Sequence, residues 1–102
     1  MKQSITKEQW GELSDEQKVK FAYDLKYFVE AYNLAQGFPN IDEMIEFLKK
    51  DYKIRVEQWN DEWGHWRVGL DWFNLEDFEF VVEKEELADA LWEAVKYKLT
   101  NS

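Results

Sequence analysis

The spacing of the apolar residues changes twice along this chain, and that change limits the folds open to it. Apolar residues recur three and four positions apart in the first half, alternate with polar residues between positions 53 and 83, and return to the first spacing from position 84. The first spacing is typical of a helix with one buried face, and alternation is typical of a strand with one buried face. The sequence therefore predicts helices, then a small sheet, then one further helix.

Two helices are predicted before Gly37. A short one spans residues 6–10, and a longer one follows Ser14, which opens a capping box with Gln17. Gly37 and Pro39 are typical of a helix end, so we expect the longer helix to finish there. Its predicted apolar stripe consists of Val19, Ala22, Leu25, Val29 and Tyr32, widened by Phe21 and Phe28.

A third helix is predicted over residues 41–50. Asn40 is a favourable N-cap, the first turn is acidic, and the last turn carries Lys49 and Lys50, so both ends complement the helix dipole. Its predicted apolar face consists of Ile41, Met44, Ile45 and Leu48.

Three short strands are predicted next, separated by turn-forming residues around positions 60–64 and 74–77. Short connections favour an antiparallel meander. The inward residues are predicted to be Ile54 and Val56, then Trp66, Val68, Leu70 and Trp72, then Phe78, Phe80 and Val82. The opposite face is predicted to show Arg67, Asp71, Glu79 and Val81.

The last predicted helix carries Leu87, Leu91, Val95 and Leu99 at four-residue spacing, with Lys96 and Lys98 in its last turn. The predicted fold class is α+β: N-terminal helices, a three-stranded antiparallel meander, and a C-terminal helix packed on one sheet face. A chain of 102 residues suffices for one core, so residues 1–102 are expected to form a single domain.

Composition excludes several classes of protein. Cysteine is absent, which removes disulfides, thiol catalysis and Cys-ligated metals. Uninterrupted apolar runs do not exceed about three residues, far short of a membrane span. The first residues do not resemble a signal peptide, so a cytoplasmic location, in a bacterial host, is expected.

The sequence offers little catalytic chemistry. It has one histidine, His65, and no glycine-rich phosphate loop, and Ser14 is better explained as a helix cap than as a nucleophile. Asp61 and Glu62 stand near His65, but this group is more typical of a hairpin turn than of a metal site. We therefore expect a protein without enzymatic activity, cofactor or bound metal.

The charge is strongly negative and unevenly distributed. The net charge is −9, and residues 57–93 contain twelve acidic residues against only Arg67 and Lys84, which gives that stretch −10. This charge argues against nucleic acid or an anionic membrane as the partner and favours a basic protein surface. Ordinary solubility is the simpler explanation of the same charge.

Three blocks of the chain resemble segments of small proteins encoded by phages and prophages of Gram-positive bacteria. They are residues 5–14 (Ile5-Thr6-Lys7-Glu8-Gln9-Trp10, then Leu13-Ser14), residues 40–48 (Asn40 to Leu48) and residues 86–96 (Glu86 to Lys96). The resemblance implies an accessory protein that acts inside an infected bacterium. Some small acidic phage proteins inhibit host defence, including CRISPR effectors and restriction enzymes, by imitating nucleic acid.

The first functional hypothesis is that carboxylates of the C-terminal half replace phosphates in the basic groove of a nucleic-acid-handling protein. Trp63 and His65 would add an anchor at one rim of this surface. The predicted partner-binding acids are Asp71, Glu76, Asp77, Glu79, Glu83, Glu85, Glu86 and Asp89.

The second hypothesis is a phage structural or assembly role. Trp59, Trp63 and Trp66 crowd one turn, and exposed tryptophans often anchor protein interfaces. Such a protein would self-associate or dock on another phage protein through these rings.

Overall fold

The computed structural model describes residues 3–25, 39–58, 65–72 and 80–100, and it confirms the predicted α+β class. Two of its helices pack against a three-stranded antiparallel sheet. None of the described helices is long and apolar enough to cross a bilayer. The helices are α1 (Lys7–Trp10), α2 (Asp15–Asp24), α3 (Ile41–Lys49) and α4 (Leu87–Thr100), and the strands are β1 (Tyr52–Gln58), β2 (Trp66–Trp72) and β3 (Phe80–Lys84).

Capping boxes fix the first residue of α1, α2 and α3. The side chains of Thr6, Ser14 and Asn40 each accept a hydrogen bond from the backbone N–H three residues later. In return, the side chain of that third residue accepts from the backbone N–H of the cap. The caps predicted at Ser14 and Asn40 are confirmed.

The sheet is a meander in the order β1-β2-β3, as predicted. Val56 pairs with Val68, and Val68 pairs with Val82, so one face of the sheet carries apolar residues from all three strands. Helix α4 contacts β2 and β3 on this inner face, whereas α3 contacts β1. Phe78, predicted at the start of the third strand, lies outside the described residues.

Aromatic rings connect the helices to one another at the centre of the core. The ring of Trp92 on α4 lies 6.4 Å from that of Trp10, and Trp10 lies 6.0 Å from Phe21 in an edge-to-face contact. Phe21 in turn lies 4.6 Å from Phe47 of α3. This continuous chain of rings therefore joins all four described helices in one apolar core.

The apolar stripe predicted for α2 is wrong at Val19, whose exposed fraction is 54%. Phe21 and Ala22, which belong to the same predicted stripe, are fully buried. Residues two positions apart on a helix point in directions about 200° apart, so burying Phe21 turns Val19 toward solvent. The large ring decides the orientation of the helix because it fits between Trp10 and Phe47. The predicted continuation of this helix toward Gly37 lies outside the described residues.

Lys98 was predicted to complement the dipole of its own helix, but its side chain turns into the core. Only 2% of the residue is exposed. Its ammonium group donates to the carbonyl oxygen of Phe47 at 2.5 Å, lies 3.1 Å from Oδ2 of Asp51, and sits 3.9 Å from the centre of the Phe47 ring. Lys98 thereby joins the end of α4 to the end of α3.

We expect Lys98→Met to lower the free energy of unfolding by about 2–3 kcal/mol, because it keeps the apolar stem but removes a hydrogen bond from a charged donor. The exposed Lys49 of α3 is the matched control, and Lys49→Met should change stability by less than about 0.5 kcal/mol. Denaturant unfolding measures both. Equal stability of the two variants would contradict the role assigned to Lys98.

Candidate functional site

The outer face of the sheet, which points away from α4, carries alternating charged residues in rows across the strands. Glu57, Arg67 and Glu83 form one row, in which Nε of Arg67 lies 3.9 Å from Oε1 of Glu83. The next row contains Arg55, Gly69 and Val81, and the row beyond it contains Lys53 and Asp71.

The described part of this outer face is balanced in charge rather than acidic. Three basic residues, Lys53, Arg55 and Arg67, stand among three acidic ones. The acidic excess of the C-terminal half therefore does not come from the strand residues that the structure describes.

Asp71 was predicted to be an exposed acid on this face, and that prediction is wrong. Only 8% of the residue is exposed, and its Oδ1 atom has no hydrogen-bond partner among the described residues. Asp71 lies on the central strand of the sheet, opposite Lys53 of β1. Alternation identified the face correctly but did not show that this position is covered. Asp71 in this position does not present its carboxylate to a partner.

Four of the predicted acids come together where β3 leaves the sheet and α4 begins. We call Glu83, Glu85, Glu86 and Asp89 the β3–α4 acidic segment. Glu83 and Glu85 are exposed, whereas Glu86 and Asp89 are half-buried. The backbone carbonyl of Glu86 accepts from the N–H of Ala90 at 3.1 Å, and Oδ1 of Asp89 accepts from Nε2 of Gln9 at 2.8 Å. The segment thus combines exposed carboxylates at Glu83 and Glu85, of which Glu83 lies 3.9 Å from Arg67, with the Asp89 carboxylate, which also holds the start of α4.

Among the remaining predicted partner-binding residues, the structure describes His65. His65 is half-buried and precedes Trp66, which pairs with Lys84, so it lies at the same end of the sheet as the acidic segment. Glu76, Asp77, Glu79 and Trp63 lie outside the described residues.

A pair of ionic contacts fixes the helix that follows the acidic segment. Nζ of Lys96 lies 2.9 Å from Oε2 of Glu12 and 2.9 Å from Oε1 of Glu93, and Nε1 of Trp92 donates to the same Glu12 oxygen at 3.4 Å. The hydrogen bond from Lys96, with a smaller contribution from Trp92, lowers the pKa of Glu12 below its ordinary value. Burial alone would lower the pKa of Lys96, but its two carboxylate partners outweigh that effect and raise it.

An apolar groove that sequence reasoning missed lies between α3 and β1. It has a volume of about 520 Å³ and is lined by Ile45, Lys49, Tyr52, Lys53, Ile54 and Val56. Val56 was assigned to the core from its alternation with charged neighbours, yet 38% of it is exposed. Alternation does not reveal that α4 covers β2 and β3 while leaving this end of β1 open.

The described residues contain no cluster of three His, Cys, Asp or Glu side chains that could hold a metal ion. Comparison of the chain with family models, with curated proteins and with solved structures finds no match.

We expect Asp71→Val to raise the free energy of unfolding by about 1–2 kcal/mol, because a buried oxygen without a hydrogen bond is costly and β-branched residues suit a strand. Glu57→Val, on the exposed part of the same face, is the control and should change stability by less than about 0.5 kcal/mol. Denaturant unfolding compares them. A loss of stability in Asp71→Val would show that its carboxylate makes a favourable contact.

The Glu12 contact predicts a dependence on pH. Because the native pKa of Glu12 is lowered, its contribution is present above its ordinary pKa of 4.5 and is lost as the pH falls through the native value. We expect Glu12→Gln to cost about 0.5 kcal/mol at neutral pH and nothing in strong acid, since the pair is partly exposed. Unfolding at several pH values measures this. Glu16→Gln, at an exposed position, should show no such difference, and a Glu12→Gln deficit that persists in acid would contradict the assignment.

Proposed function

We propose that this protein is a non-enzymatic binding protein that docks its β3–α4 acidic segment on the basic surface of a nucleic-acid-handling protein. The observation that carries the proposal is the exposure of Glu83 and Glu85 beside Glu86 and Asp89. Within residues 83–89 the only basic residue is Lys84, and Arg67 of the neighbouring strand lies 3.9 Å from Glu83. Along the described part of the chain, no stretch of seven residues outside this segment holds four acidic side chains.

The chemistry of carboxylates suits such a partner. A basic groove that binds phosphates presents Arg and Lys side chains, and a carboxylate accepts the same charge-assisted and bidentate hydrogen bonds from them. A net charge of −9 also speeds the encounter with a positively charged surface and makes it sensitive to salt. The protein would therefore occupy the groove by charge, without itself performing a reaction.

The rigidity of the segment also favours this role. Its first residue lies in a paired strand opposite Arg67, and its last holds Gln9 at the start of a buried helix. A carboxylate held on regular structure loses less conformational entropy on binding than one on a free tail. In this proposal the chain acts in the bacterial cytoplasm as an inhibitor of a host enzyme or defence protein, which is the context that the phage resemblance implies.

We expect the wild-type chain, used as bait in a bacterial lysate at low salt, to retain a basic DNA- or RNA-binding protein and release it at moderate salt. Glu83→Lys/Glu85→Lys should abolish this capture, because it reverses the two exposed charges of the segment. Glu8→Lys/Glu16→Lys alters net charge equally, at exposed sites on α1 and α2, and should still bind. A gradient of salt over the captured material measures all three.

Equal loss of binding in both double variants would show that only net charge matters and would contradict a defined site. If no protein is captured, the negative charge serves solubility and the proposed binding role is wrong. A partner that resists high salt and is lost on Trp63→Ala would instead support the assembly role.

A further inference from the structure

The outer edge of β1 is the most open stretch of regular structure in the described part of the chain. There, β1 pairs with β2 on one side only, and Tyr52 is its only buried residue. Val56 points to the inner face of the sheet, yet its exposed fraction is 38%. A strand edge of this length normally acquires a partner or a feature that blocks pairing.

We propose that two copies of this chain pair through β1, antiparallel and centred on Arg55, to form a continuous six-stranded sheet. This pairing is self-complementary. On the outer face it places Lys53 of each copy opposite Glu57 of the other, and on the inner face it places Ile54 opposite Val56. Opposite charges and apolar β-branched residues are both favourable cross-strand pairs, and the two-fold symmetry makes each pair occur twice.

The least favourable contact in this register is Arg55 opposite its own copy. Its cost is reduced because a long guanidinium side chain reaches the diagonal neighbour across a strand pair, which here is Glu57 of the other copy. A register centred on Val56 would also join opposite charges, but it would place Ile54 against the polar Gln58. The register centred on Arg55 is therefore preferred.

The groove beside β1 also suits a second copy of this chain. Its apolar residues Ile45, Ile54 and Val56 face open space, and the second copy would bring its own Ile54 and Val56 to this edge. The helix that borders the groove is self-complementary too. Asp42 and Lys49 lie seven residues apart on one face of α3, so antiparallel approach of the two helices places each Asp42 near the other Lys49.

This surface is distinct from the β3–α4 acidic segment, because β1 and β3 are opposite edges of the sheet. Salt also affects the two differently. Two chains of charge −9 repel each other, and added salt screens this repulsion. In the dimer, that gain offsets the weakening of the local ion pairs by salt. Binding to a basic partner has no such compensation and weakens steeply as salt is added. Either proposal can fail while the other stands.

Sedimentation equilibrium of the full chain, from micromolar to millimolar concentration, tests the dimer. We expect a mass that rises toward 24.8 kDa, twice the 12.4 kDa of one chain. Lys53→Glu and Glu57→Lys should each weaken self-association at least about tenfold, since each creates two like-charge pairs. An equimolar mixture of these two variants should recover the dimer, because their charges complement each other. Circular dichroism confirms that each variant is folded.

A second measurement fixes the register without relying on charge. The chain has no cysteine, so Arg55→Cys places one thiol at the proposed two-fold axis, and Val81→Cys places one at a comparably exposed site on β3. Under mild oxidation Arg55→Cys should form the covalent dimer at least about tenfold faster, because opposed strand residues lie within disulfide distance. Equal rates, or a native chain that remains at 12.4 kDa throughout, would overturn the proposal.

Discussion

The structure depends on the burial of α4, which has to satisfy the sheet and the helical layer at once. Nine of its fourteen residues are buried. The small side chains of Ala88, Ala90 and Ala94 are fully buried. The large ring of Trp92 is also fully buried and contacts Trp10 of α1. In a domain this small, a single helix that contacts β2, β3, α2 and α3 supplies much of the apolar area removed from water. Lys98 adds a polar link from the same helix to the end of α3.

The burial of α4 also limits the positions at which acidic residues can occur in and beside this helix. A carboxylate on the buried face of α4 would lose its hydration. The two acidic residues of the helix, Asp89 and Glu93, are therefore only half-buried, and each has a polar partner. Asp89 accepts from Gln9, and Glu93 pairs with Lys96. The other carboxylates of the segment lie just before the helix, where Glu83 and Glu85 are exposed and Glu83 faces Arg67 of β2. Asp89 of the segment lies in the first turn of α4 and favours the helix dipole, so a structural requirement and the proposed binding role coincide there.

The period of the sequence is sufficient to predict each described element and the order of the strands, because few residues separate consecutive strands and an antiparallel meander follows from that. It failed where tertiary contacts decide. Helix α2 buries Phe21 rather than Val19, because the Phe21 ring fits the space between Trp10 and Phe47. Sequence spacing alone does not show which of these two apolar residues the core will accept. Asp71 was on the predicted face, but alternation says nothing about what covers that face. The open edge of β1 was missed for the same reason.

Native-state amide hydrogen exchange tests the central role of α4 most directly. The account predicts that the amides of residues 91–95 exchange only through global unfolding, with an opening free energy equal to that from denaturant, and that they are the slowest in the chain. Exchange of these amides with a clearly smaller free energy than those of Val68 and Leu70 in β2 would contradict it. The sheet would then be the stable unit, and α4 would be an element that docks on it.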